Sequence, residues 1–157
     1  MYTDIEEDGA ACFLILPNEQ LFTPVKGSDT EWIVRYPIDY YSQVLGKVLI
    51  VPAGFITDLA SIPRPLWWLY PPSGRYDLAV VLHDILYWRQ ETSRKDADLV
   101  LHEAMLVCGC KKGVANNFYF AVRVGGQAAW NDNAKQDKAT GYVKLTGGII
   151  NVSELEI

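Results

Sequence analysis

The apolar positions change period along the chain, and each change marks a different kind of structure. Residues 31–36 alternate, with Trp32, Val34 and Tyr36 on one face and the charged Glu31 and Arg35 on the other. Period two is the mark of a strand with one covered face. Lys47–Val51 is rich in β-branched residues between Gly46 and Pro52, and residues 11–16 form a short apolar run closed by Pro17 and Asn18. Both read as strands of ordinary length, so residues 10–57 predict a small antiparallel sheet.

Residues 75–90 switch period. Apolar side chains at 78, 79, 81, 82, 85, 86 and 88 cover most sides of a helix, which predicts a central element rather than a surface one. After a break at 91–93, Ser93 with Asp96 three residues on reads as a helix start. Arg94–Val107 then sets Ala97, Leu101, Ala104 and Met105 along one stripe, and Gly109 closes it. A third helix is predicted over 114–124, ahead of Gly125 and Gly126. So short a break between the first two helices makes an antiparallel hairpin. The fold class is therefore α+β: a small N-terminal antiparallel sheet and a C-terminal helical hairpin within a three-helix core.

Between these parts, residues 52–74 hold prolines at 52, 63, 65, 71 and 72, which forbid a long helix or a central strand. The same stretch carries Phe55, Trp67, Trp68 and Tyr70, so it either packs on the domain or faces a partner. The chain is polar from Asn131 to Lys138. Residues 142–145 and 149–152 read either as two late strands or as an extension that docks on another subunit.

Length and composition narrow the classes. A chain of 157 residues favours one domain, 1–157, with a β-rich part (1–51), a connector (52–74), a helical core (75–130) and a tail (131–157). With 50% apolar residues it is not a disordered chain. No apolar run approaches the ~20 residues of a spanning helix. The first residues, MYTDIEED, are acidic, so no secretory leader is expected. A net charge of −5 is the wrong sign for nucleic acid or anionic lipid, unless a local basic patch overrides it. No nucleic-acid partner is expected. Cys12, Cys108 and Cys110 contain no C-x-x-C pair, against a disulfide scaffold or a four-cysteine zinc site. There is no P-loop, no G-x-S-x-G elbow and no H-E-x-x-H.

The chemistry centres on His83-Asp84 inside the most apolar helix. A buried carboxylate needs a partner, a metal or a route to water, and Arg75, Arg94 and the proline connector are within reach of Asp84. Tyr87 lies one turn after His83 on the same face. In the antiparallel hairpin Asp98 comes to a similar height as His83. A carboxylate holding one imidazole nitrogen leaves the other free to take a proton from water, and Asp84 is placed to hold a cation beside that water. The same residues also read as a buried polar pair that sets helix register. His102 reads as a surface or pair residue. Asp58 reads as the cap of the turn that follows it, or as a further ligand.

The strings VPAGFITDLASIPRPLWW, PPSGRYDLAVVLHDILYW and SRKDADLVLHEAM resemble an uncharacterised family of small proteins of tailed bacteriophages and prophages, over about residues 51–130. That resemblance implies a phage origin and carries no settled activity. Locally, HDILYWRQ followed by R-x-x-A-D resembles the helix pair of the phospholipases A2. The resemblance implies His83 as general base, Asp84 as calcium ligand, Asp98 as the partner of the His and Tyr87 as a supporting hydroxyl. Two features depart from that family: the disulfides between the helices are missing, and YPPSGRY, with only Gly74, stands where a glycine-rich calcium loop belongs.

Two functions follow as expectations. One is a Ca²⁺-dependent hydrolase of phospholipid-like esters of the cell envelope, made in the host cytoplasm and carried in the virion or released at lysis. The other is a tail or neck component of the virion, bound to phage structural proteins, with the His-Asp cluster setting register.

Overall fold

In a computed structural model the fold is described over residues 10–14, 21–29, 31–58 and 76–135. The strands in chain order are β1 (Cys12–Leu14), β2 (Phe22–Pro24), β3 (Trp32–Val34), β4 (Ile38–Ser42), β5 (Lys47–Val51) and β6 (Ile56–Thr57). They form two antiparallel sheets of three strands, ordered β1-β4-β5 and β2-β3-β6. The α+β reading holds, with two small sheets in place of one.

β5 has the bounds the sequence predicts, β1 begins one residue later than its predicted run, and β3 is a shorter core of its own. In β3 both Ile33 and Val34 are buried, so the expected one-sided alternation fails there. The cause is its central place: Ile33 packs on Ile56, while Val34 joins the main core. β4 does alternate, with Ile38, Tyr40 and Ser42 inside. Tyr40 and Glu103 cross from sheet to helix: the Tyr40 hydroxyl donates to Glu103 Oε1 at 2.9 Å, and the Val44 amide donates to Oε2 at 3.0 Å. Burial and the Glu103 charge push the Tyr40 hydroxyl far above the ordinary phenol range. One carboxylate therefore fastens the β4–β5 hairpin to the helices.

The helices are α1 (Asp77–Arg89), α2 (Arg94–Val107), α3 (Lys112–Gly125) and α4 (Gln127–Ala134). Every residue of α1 from Ala79 to Trp88 is buried, as its all-round apolar pattern requires. Gln90 ends it in the left-handed region at φ 53°, its amide donating to the Leu86 carbonyl. The Ser93 hydroxyl accepts the Asp96 amide at 3.1 Å, so the predicted start of α2 is a true cap. Ala97, Leu101, Ala104 and Met105 are all buried. Gly109, at φ +85°, turns the chain out of α2 in a conformation that costs other residues.

α4 was not expected. The chain stays helical through Asn131 to Ala134, and Trp130 packs edge-on to Tyr87 with ring centroids 5.0 Å apart. α1 packs against α2, α4 and β5, and α2 reaches β1, β4 and α3, around one main core. Among the described residues no helix is long and apolar enough to cross a membrane. Most of the proline connector, with Trp67 and Trp68, lies outside the described residues, as do Arg75 and the two late segments at 142–145 and 149–152.

Candidate active site

The hairpin brings His83, Tyr87 and Asp98 together, as the spacing predicts. His83 Nε2 stands 2.8 Å from Asp98 Oδ1, and the Tyr87 hydroxyl donates to the same oxygen at 2.7 Å. The His83 and Tyr87 rings lie against each other, centroids 4.1 Å apart. The other oxygen, Oδ2, accepts from Arg123 at 2.8 Å and from Arg94 at 3.4 Å. Asp98 itself is fully buried. Burial pushes its carboxyl up, but hydrogen bonds from His83, Tyr87 and Arg123 outweigh that and hold it below the usual carboxylate range. Burial and the Asp98 carboxylate push the Tyr87 hydroxyl well above the ordinary phenol range. So Asp98 is the anion here and Tyr87 keeps its proton.

An ionised carboxylate only accepts, so the nitrogen facing it carries an N–H, and the tautomer of the uncharged ring is thereby set. The lone pair then lies on Nδ1, which has no hydrogen-bond partner among the described residues. This is the tautomer a general base needs.

Arg94 and Arg123 were not singled out around Asp98. Arg94 lies one turn before Asp98 on α2, an i,i+4 spacing visible in the sequence. Its Nη1 also donates to the carbonyls of Val122 and Arg123, at 3.1 and 3.2 Å, and so holds the end of α3. Arg123 arrives from α3, and no local pattern signals it. Gly126 completes the enclosure. A Cβ there would meet the Val122 carbonyl oxygen at 2.5 Å and the Tyr87 hydroxyl at 2.6 Å, so only glycine lets α4 pass this close.

Asp84 points elsewhere. Its Oδ2 accepts from the Thr57 hydroxyl at 2.5 Å, which joins α1 to β6. Arg94, one expected partner of Asp84, is on Asp98 instead. No three His, Cys, Asp or Glu side chains converge among the described residues. Those residues by themselves do not fit a calcium ion. Residues 70–75 of the YPPSGRY stretch lie outside the described residues. Asp58 follows β6 and is partly exposed, while the turn it was expected to cap lies outside the described residues.

His102 is a pair residue, as expected, its Nε2 2.7 Å from Asn116 Oδ1. All three cysteines are free thiols. Burial, with Cys110 beside it, pushes the Cys108 thiol up to about 11, which leaves it a poor nucleophile at neutral pH.

A family model described as a protein of unknown function (DUF1353) matches residues 32–122. The chain belongs to the DUF1353 family. The matched region holds β3 to β6, α1, α2 and nearly all of α3, and ends one residue before Arg123. It thus contains His83, Asp84, Tyr87, Arg94 and Asp98. No curated protein and no solved structure matches the chain.

Proposed function

We propose that this DUF1353 protein is a hydrolase of carboxylic esters in which His83 is the general base. The observation that carries the reading is the double acceptance at Asp98 Oδ1, from His83 Nε2 at 2.8 Å and from Tyr87 at 2.7 Å. It fixes the ring and its tautomer. His83 Nδ1 takes a proton from water, the hydroxide adds to the ester carbonyl carbon, and the proton passes on to the departing alkoxide oxygen. Asp98 stabilises the imidazolium formed between these steps, and Tyr87 keeps the carboxylate aimed. The substrate class comes from the resemblance to the phospholipases A2, which points to phospholipid-like esters. The resemblance to phage proteins points to the bacterial envelope as their source.

A second reading rests on a different feature of the same residues. Asp98 receives donors on both oxygens and joins α1, α2 and α3, which suits a structural clasp in a virion component as well as it suits a base.

One experiment separates them. Fatty-acid release from mixed phosphatidylglycerol–phosphatidylcholine micelles is followed at constant pH, with and without Ca²⁺, for wild type and His83→Gln. The glutamine amide can still donate to Asp98, so the fold should persist. The hydrolase reading expects release by wild type and a loss of about 10²–10⁴-fold in the variant at an unchanged unfolding midpoint. No release by wild type in either condition, or equal release by both proteins, overturns it and leaves the clasp.

A further inference from the structure

Helix α3 carries a surface that the site does not use. Phe120 is 63% exposed and Val124, one turn on, is 86% exposed. Single exposed apolar side chains are ordinary, but a contiguous group of them marks a contact surface. The patch is continuous with α2: the Phe120 ring meets Tyr119, Tyr119 meets His102, and Leu106, exposed, stands one turn after His102.

The stretch of chain that carries this patch has charge of one sign. No Asp or Glu occurs between Glu103 and Asp132, although the whole chain carries −5. Lys111 and Lys112 are exposed where α3 begins, beside the end of α2. Glu103, the nearest acid on α2, is turned to the sheet, engaged by Tyr40 and Val44. An apolar strip on a stretch that opens with two exposed lysines and holds no acid complements a surface that is apolar inside and anionic at its edge. A second copy of the chain fits less well, since a self-complementary interface would need acids on this same face to meet its own lysines.

We propose that the outer face of α2 and α3 docks on anionic lipid, with Phe120 and Val124 entering the acyl boundary and Lys111 and Lys112 meeting phosphates. This docking does not depend on the hydrolase reading, and the test separates the two. The probes are sucrose-loaded vesicles of ether-linked phosphatidylglycerol and phosphatidylcholine, which no carboxylic-ester hydrolase can cleave, against vesicles of ether-linked phosphatidylcholine alone. Sedimentation at low salt should show wild type bound to the anionic vesicles and free of the neutral ones. Lys111→Gln should weaken binding about fivefold, and the double variant with Lys112→Gln about 25-fold. Phe120→Ser should lose binding at an unchanged unfolding midpoint. Equal binding to both vesicles, no binding to either, or a wild-type dimer that Phe120→Ser converts to monomer each overturns the proposal.

Discussion

Helix α1 buries His83, Asp84 and Tyr87, whereas α3, of similar length, leaves Phe120 and Val124 in water. Both depart from the ordinary sorting of side chains, in opposite directions. On α1 the departure is stable because each polar group has a partner: His83 and Tyr87 on Asp98, Asp84 on Thr57. On α3 the inner face, Ala115, Phe118 and Val122, already satisfies the core, so nothing within the described fold calls for Phe120. The first pattern is a buried polar cluster whose members satisfy one another. The second is what a surface for something outside the chain looks like.

Substitutions can test how unequal the two regions are. Asp98→Ala should do the most damage, about 3–5 kcal/mol in urea unfolding, because it strands Arg94, Tyr87 and His83 together. Asp98→Asn keeps the shape and should cost less. The same residue sets an acid limit. Its folded pKa lies below the unfolded one, so its contribution is present above about pH 4 and is lost as pH falls through the lower folded value. Unfolding midpoints of Asp98→Asn should therefore fall less steeply in acid than those of wild type. Gly126→Ala comes next, at about 1–3 kcal/mol, because its new methyl collides with the Tyr87 hydroxyl and the Val122 carbonyl. Ser93→Ala removes the α2 cap and should cost about 1 kcal/mol, read by thermal unfolding. Phe120→Ser should stay within about 0.5 kcal/mol of wild type. A large loss there would mean that Phe120 belongs to the fold, and the contrast between the helices would vanish.

The legible parts of this molecule are those in which one local pattern decides. The apolar girdle of α1, the Ser93 cap and the stripe of α2 are local, and an eight-residue count to the hairpin break placed Asp98 opposite His83. β4 is absent from the predicted strands, because the polar members of Ile38–Ser42 hide the alternation of Ile38, Tyr40 and Ser42. β6 has two residues, too few for any period, and is a strand only because β3 pairs with it. Arg94 could have been paired with Asp98 from its spacing alone. Arg123 and Gly126 could not, because their roles arise only when α3 and α4 fold back over the hairpin. The meeting of His83 with Asp98 was thus readable, while the enclosure around them depended on distant chain.

The bond from Tyr40 to Glu103 spans 63 residues, and that separation matters while the protein is being made. At ribosomal speeds, Glu103 follows Tyr40 by roughly 3–13 s, far longer than a hairpin takes to form. During that interval the β4–β5 hairpin waits without the helix that fastens it. Its outer strand already shows Val48 and Ile50 to solvent, 41% and 48% exposed even in the finished fold. The nascent chain therefore passes through a stage with an open, oily strand edge, and neighbouring chains on one message are its nearest competitors for pairing.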